Sequence, residues 1–134
     1  MSSPDIAWLR TLYDGYVKGE IEPIFDRLAG DVEWISALDA PTAKPFAGTF
    51  HGAEEVRRFF HTIAQDWLIT RYEVQQMIAN GDLVVVSIAA SARNRRTGKT
   101  AELTTQHAMI LRDGNIQRFV EWCNDSAPLE AACR

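Results

Sequence analysis

The sequence predicts an α+β protein with helices packed on one face of a curved antiparallel sheet. Three observations point there. Apolar residues recur at helical spacing in the first half of the chain, alternating runs fill the second half, and glycine-containing dipeptides punctuate those runs. At 134 residues the chain suits one core, so residues 1–134 are expected to form a single domain.

Ser3 and Asp5 are good capping residues. After them Ile6, Leu9, Tyr13, Tyr16 and Val17 form the stripe of a first helix that Gly19 ends. Pro23 suits the first turn of a second, short helix carrying Ile21, Ile24, Phe25 and Leu28 and closed by Gly30. Asp31 to Ser36 then reads as a strand. The segment from Ala37 to Gly48 is the one loop-rich stretch. Gly52 opens a third helix with stripe Val56, Phe59, Phe60 and Ile63, whose first turn carries Glu54 and Glu55, where the helix dipole favours negative charge. Four strands follow, ITRYEVQQMIA, LVVVSIAASAR, TAELTTQHAMILR and NIQRFVEWC, separated by Asn80-Gly81, Thr97-Gly98 and Asp113-Gly114. Asn-Gly and Asp-Gly supply the positive φ that two-residue hairpin loops need. A short helical tail, APLEAA, closes the chain. Three helices against a bent sheet leave a wedge between them, the natural place for an apolar cavity.

Composition narrows the function classes. The formal net charge is −4, and the basic cluster Arg93, Arg95, Arg96 and Lys99 surrounds one turn, so a solvated hairpin tip is expected there and nucleic acid is not an expected partner. The start MSSPDIAWLR lacks a basic segment and an apolar run, and no stretch of 18 apolar residues occurs, so neither export nor a membrane partner is expected. Cys123 and Cys133 have no framework spacing, which favours a reduced, cytoplasmic setting. His51, His61 and His107 lack the pairing of a metal site, and no metal or other cofactor is expected.

The stretches YDGYVKGEIEPIFDRLAGDVEWIS, FAGTFHGAEEVRRFF and HAMILRDGNIQRFVEWCNDSAPLEAA resemble, in order and distance, the SnoaL-like and ketosteroid-isomerase-like branch of the nuclear-transport-factor-2-like superfamily. The resemblance covers nearly the whole chain. It implies a cone-shaped curved antiparallel sheet with three helices on its concave face. It also implies a small-molecule cavity and pairing into a homodimer. Activities in the superfamily range from steroid isomerisation and polyketide cyclisation to binding without catalysis.

Carried over by position, the general base of a ketosteroid isomerase falls on Trp34, where no carboxylate stands. Its tyrosine falls near Tyr13, and its protonated acid on His107 or Gln106. The Arg-x-Asp pair of an epoxide hydrolase has no counterpart in LVVVSIAASAR. The acid/base aspartate of the polyketide cyclases falls on Asp125.

Read from the residues themselves, Asp125 precedes Ser126, Ala127 and Pro128, so it is either the cap of the last helix or a carboxylate at the cavity rim. His107 alternates with Met109 and Leu111. Across a two-residue Asp113-Gly114 loop it shares the more apolar face with Ile116, Val120 and Trp122, which aims it into the core or the cavity. The same register puts Asn124 on the His107 face, where it would orient a ligand, and leaves Asp125 mainly a cap unless a bulge near Trp122 changes the parity. Trp34 is expected as cavity wall, and Trp8, off the main stripe, as a lid or a subunit contact.

Two functions remain open. One is a cofactor-free isomerase or cyclase that moves a proton on a small apolar, carbonyl-bearing ligand. In it Asp125, His107 and Tyr13 are catalytic, while Trp34, Tyr16, Phe59, Met109, Trp122 and Asn124 contact the ligand. The other is a non-catalytic binding domain with the same cavity. A homodimer is expected because a long sheet covered by helices on one face leaves apolar residues on the other: Val84, Val86 and Ile88 in one register, Leu83 and Val85 in the alternative.

Overall fold

The computed structural model describes residues 6–40, 42 and 47–134. Two helices come first, α1 (Ala7–Tyr16) and the single-turn α2 (Glu22–Phe25). After them run β1 (Leu28–Ser36), β2 (Gly48–His51) and α3 (Gly52–Asp66). The second half is a meander of β3 (Trp67–Asn80), β4 (Leu83–Asn94), β5 (Thr100–Arg112) and β6 (Asn115–Cys123), followed by α4 (Ala127–Ala132). The strands form one unclosed six-stranded sheet in the order β2-β1-β6-β5-β4-β3. All neighbours are antiparallel except β1 and β6, which run parallel.

The α+β class with helices on the inner face of a curved sheet is therefore what the chain adopts. Several details differ from expectation. The proposed caps Ser3 and Asp5 lie outside the described residues. The second helix ends at Phe25, because Leu28 already pairs with Ile116 as the start of β1. GTFH pairs with β1 as an additional strand.

At the first hairpin the two loop residues are Gly81 and Asp82, with Asn80 still paired to Leu83 and only Gly81 at positive φ. At the second, the loop is longer than Thr97-Gly98. Asn94 Oδ1 accepts from the backbone N–H groups of Arg96 at 3.0 Å and Thr97 at 3.1 Å, and the basic side chains are not simply solvated. Arg96 donates to the carbonyl of Cys133, Lys99 to that of Arg134, and the Thr97 hydroxyl to that of Ala132. Those groups satisfy carbonyls that the end of α4 leaves open. The third hairpin does turn on Asp113-Gly114, with φ of 54° and 77°.

Curvature has identifiable causes. β3 carries register shifts between Ile69 and Arg71 and between Val74 and Gln76, each an extra residue that bends and twists the strand. On β4 the inward residues Val84, Val86 and Ile88 are fully buried. Helix α3 lays Val56, Phe59, Phe60 and Ile63 onto this inner face, and α1 adds Leu9 and Tyr13. Glu55 accepts from the backbone N–H of His51 at 3.0 Å, one turn back at the N-cap of α3, which makes its role at the start of the helix structural.

One shift decides the site. Along β6, Ile116 pairs with Leu111 but Arg118 pairs with Ile110, so Gln117 is an extra residue. The bulge inverts the parity of the strand. Ile116, Phe119 and Glu121 face inward, and Val120 and Trp122 face out.

Candidate active site

The inner face of the sheet and helices α1 to α3 enclose a cavity of about 70 Å³. Tyr13, Tyr16, Trp34, Phe59, His107 and Met109 all line it. Glu121 and Tyr72 line it too, and sequence reasoning missed both.

His107 is the centre of the polar part. It is 3% exposed, and its Nδ1 stands 2.6 Å from the Tyr13 hydroxyl. The Tyr72 hydroxyl lies 3.3 Å from Nε2, and Glu121 Oε2 lies 3.9 Å from the same nitrogen. Glu121 is the residue directly across from His107 on β6, and its other oxygen accepts from the Ser36 hydroxyl at 2.6 Å. A carboxylate beside Nε2 draws the ring proton to that nitrogen. Nδ1 is then an acceptor for the Tyr13 O–H. Edge-on contact with Phe119, 4.6 Å between ring centres, fixes the imidazole plane.

Electrostatics follow from burial. The pKa of Tyr13 is raised well above the usual tyrosine value, first by burial and then by the negative charge of Glu121. Tyr16 is raised for the same reasons in the same order. Tyr72 is raised by burial and then by Tyr13, Tyr16 and Glu121. All three hydroxyls thus stay protonated donors. Trp34, 4% exposed, stacks on Phe119 at 3.8 Å, and its indole Nε1 is, among the described residues, a buried side-chain polar atom without a hydrogen-bond partner. A buried donor left unsatisfied costs roughly 1–3 kcal/mol, and an acceptor inside the cavity would recover that.

The C-terminal candidates fall elsewhere. Trp122 is 37% exposed on the outer face, and the expectation that it lines the cavity is corrected by the bulge at Gln117. Asn124 is also outside: its Oδ1 accepts from Gln106 Nε2 at 3.2 Å, and Gln106 in turn accepts from the Ser87 hydroxyl. Asp125 is exposed and accepts from the backbone N–H of Ala127 at 3.0 Å, an Asx turn that leads into α4 one residue before its N-cap Ser126, and it is not among the residues that line the cavity. Trp8 packs under the Arg27 guanidinium, 4.6 Å above its ring, and is half-buried.

Among the described residues no group of three or more His, Cys, Asp or Glu side chains is placed to hold a metal ion. Among the same residues no helix is long and apolar enough to cross a membrane.

A six-stranded open sheet with helices on its inner face is a fold that this chain shares with known proteins. The SnoaL-like domain family matches residues 9–119, and the chain belongs to that family. An NTF2-like protein of unknown function from Burkholderia pseudomallei K96243 superposes with a TM-score of 0.85 at 22% identity, over 99% of this chain and 98% of that one. TerC, co-crystallized with polyporic acid, gives 0.84 at 26% identity over 98% of each chain. A protein from Catenulispora acidiphila DSM 44928 with a ketosteroid isomerase-like fold, in complex with trimethylamine, gives 0.72 at 10% identity over 90% of this chain and 85% of that one. No curated protein matches the sequence.

Proposed function

We propose that this protein binds a small, mostly apolar ligand bearing a carbonyl oxygen and moves a proton on it without a cofactor, in the manner of an isomerase or cyclase. The observation that carries the reading is His107: a buried imidazole with a tyrosine hydroxyl on each ring nitrogen and a carboxylate 3.9 Å from one of them, in an otherwise apolar cavity. The acid/base role falls to His107 rather than Asp125. A ligand carbonyl entering beside Tyr13 takes over the hydrogen bond that the hydroxyl gives to Nδ1. That exposes the Nδ1 lone pair as the base just where a carbon acid has arrived. The proton passes from the carbon next to the carbonyl to Nδ1. The enolate oxygen is held by Tyr13, which is too weak an acid to lose its own proton. Glu121, held by Ser36, balances the imidazolium until the proton returns. The Trp34 indole N–H is a further donor for a ligand oxygen.

This reading is supported by the isomerase-like fold of the neighbours and by TerC, whose structure contains polyporic acid. A reducing cytoplasm suits a chain whose two cysteines lack framework spacing. The working form is a homodimer joined through the outer face of the sheet.

Exchange of the α-protons of 2-tetralone in D₂O, followed by proton NMR, tests the chemistry. Acceleration by the wild-type protein, abolished in His107→Gln and reduced in Tyr13→Phe, is the expected result. Equal exchange in His107→Gln and wild type would sink the assignment. Binding of the ketone with no exchange at all returns the non-catalytic alternative.

A further inference from the structure

The cavity at His107 and a second one of about 60 Å³ beside it share Tyr16, Ile63, Tyr72 and Glu121 in their walls. Among the described residues Glu121 is the one carboxylate in either wall, and no lysine or arginine stands in them. The residue is 8% exposed. Its surroundings keep it ionised: the Ser36 hydroxyl donates to Oε1 at 2.6 Å, and Nε2 of His107 faces Oε2 at 3.9 Å. A charge buried this way acts through a low effective dielectric, so any ion that enters the cavity meets its sign almost unscreened.

The protein's own phenols already do. Tyr13 and Tyr16 hold their protons more tightly than an ordinary tyrosine, first because they are buried and second because Glu121 is negative. An acidic group on a guest would meet the same two effects, and the two can be told apart. Burial penalises a charge of either sign, whereas Glu121 penalises the negative and favours the positive. The unpartnered Trp34 N–H pulls the other way, since a donor serves a carboxylate at least as well as a carbonyl. It sets a dipole against a full charge, and the charge prevails.

We propose that Glu121 makes the cavity a charge filter: a ligand is admitted neutral or positively charged, as a ketone, an amide or an amidinium, and a carboxylate or other anion is turned away. The inference deepens the proposed function and rests on it only for the cavity's being the ligand site. Glu121 then acts before any proton moves. A carbonyl compound acidic enough to exist as an enolate in water is taken up in its uncharged form.

Acetamide, acetate and acetamidinium share one planar skeleton with charges of zero, minus one and plus one, and each is small enough to suit a cavity of about 70 Å³. They are titrated into the ¹⁵N-labelled protein in mildly alkaline buffer and followed by the amide shifts of His107, Met109 and Phe119. Acetamide and acetamidinium should bind, and acetate should bind about tenfold more weakly than acetamidinium or worse. Burial costs the two ions alike, so Glu121→Gln, which keeps an acceptor for Ser36, should narrow that gap to about threefold or less. Asp125→Asn removes a charge outside the cavity and should leave the gap as it was. A further measurement needs no variant: the gap should persist at about 0.5 M salt, which screens attraction to the net charge of −4 but not a buried pair. Acetate bound as tightly as acetamidinium, a gap that survives Glu121→Gln or vanishes in salt, or no shift at the cavity with any of the three overturns the filter. The expected gap in a wild-type protein that does not accelerate exchange of 2-tetralone leaves the filter standing and removes the proposed proton transfer instead.

Discussion

Tyr13 and His107 are joined by the short hydrogen bond at the centre of the site, and a single oxygen atom tests it. Tyr13→Phe leaves Nδ1 of a buried imidazole without its donor, so we expect a loss of about 1–2 kcal/mol in urea unfolding, beyond any effect on turnover. Tyrosine ionisation gives an independent check. The chain has three tyrosines, and all three line the cavity with pKa raised above the ordinary tyrosine value. A raised folded-state pKa means the unfolded chain releases these protons first. The contribution to stability is complete below pH 10 and is lost as pH rises beyond it. Absorbance at 295 nm should accordingly show no tyrosinate between pH 10 and 11 while the far-UV spectrum stays native, then a single step coincident with unfolding. A graded titration of even one tyrosine in the folded protein would contradict the burial described.

Strand β6 and helix α4 show how far each element was legible in the sequence. His107 could be placed inward because Met109 and Leu111 share its face and polar Thr104 and Gln106 lie on the other. Glu121 could not. Its neighbours Val120 and Trp122 are as bulky as its face-mates Phe119 and Cys123, so alternation did not choose between the faces, and the bulge at Gln117 that sets the parity leaves no local signature. Tyr72 was hidden in the same way by the two register shifts of β3. The helices and the Asp113-Gly114 turn were legible because stripe and turn chemistry act within a few residues. Deleting Gln117 should remove the bulge and leave Arg118, Phe119 and Glu121 opposite Ile110, Met109 and His107, with Phe119 and Glu121 still facing inward; a loss upwards of about 4 kcal/mol in denaturant unfolding, the scale of a parity flip, would contradict this register. Asp125→Ala should cost about 1 kcal/mol through the lost hydrogen bond to the Ala127 N–H at the start of α4, and Asp125→Asn little, with ketone binding the same in both.

At the scale of the whole molecule, the outer face of the sheet carries Ile78, Leu83, Val85 and Trp122 exposed, with Val85 paired to both Ile78 and Ala108, and Ala108 to Val120. This register buries Val84, Val86 and Ile88 and leaves Leu83 and Val85 exposed. The double variant Ile78→Lys, Val85→Lys should convert a dimer into a monomer by light scattering; a wild-type protein that scatters as a monomer at micromolar concentration removes the dimer. The parallel pairing of β1 with β6 has another consequence, in time rather than in space. Trp34 and Ser36 gain their neighbours Phe119 and Glu121 only from a strand more than eighty residues downstream, so β1, and β2 hydrogen-bonded to its far side, have no sheet to join while a ribosome is still making β3 to β5. The meander is expected to pair first, because its strands are neighbours in sequence. The N-terminal segment waits, and its apolar strand is the stretch a chaperone would have to shield until β6 has left the exit tunnel.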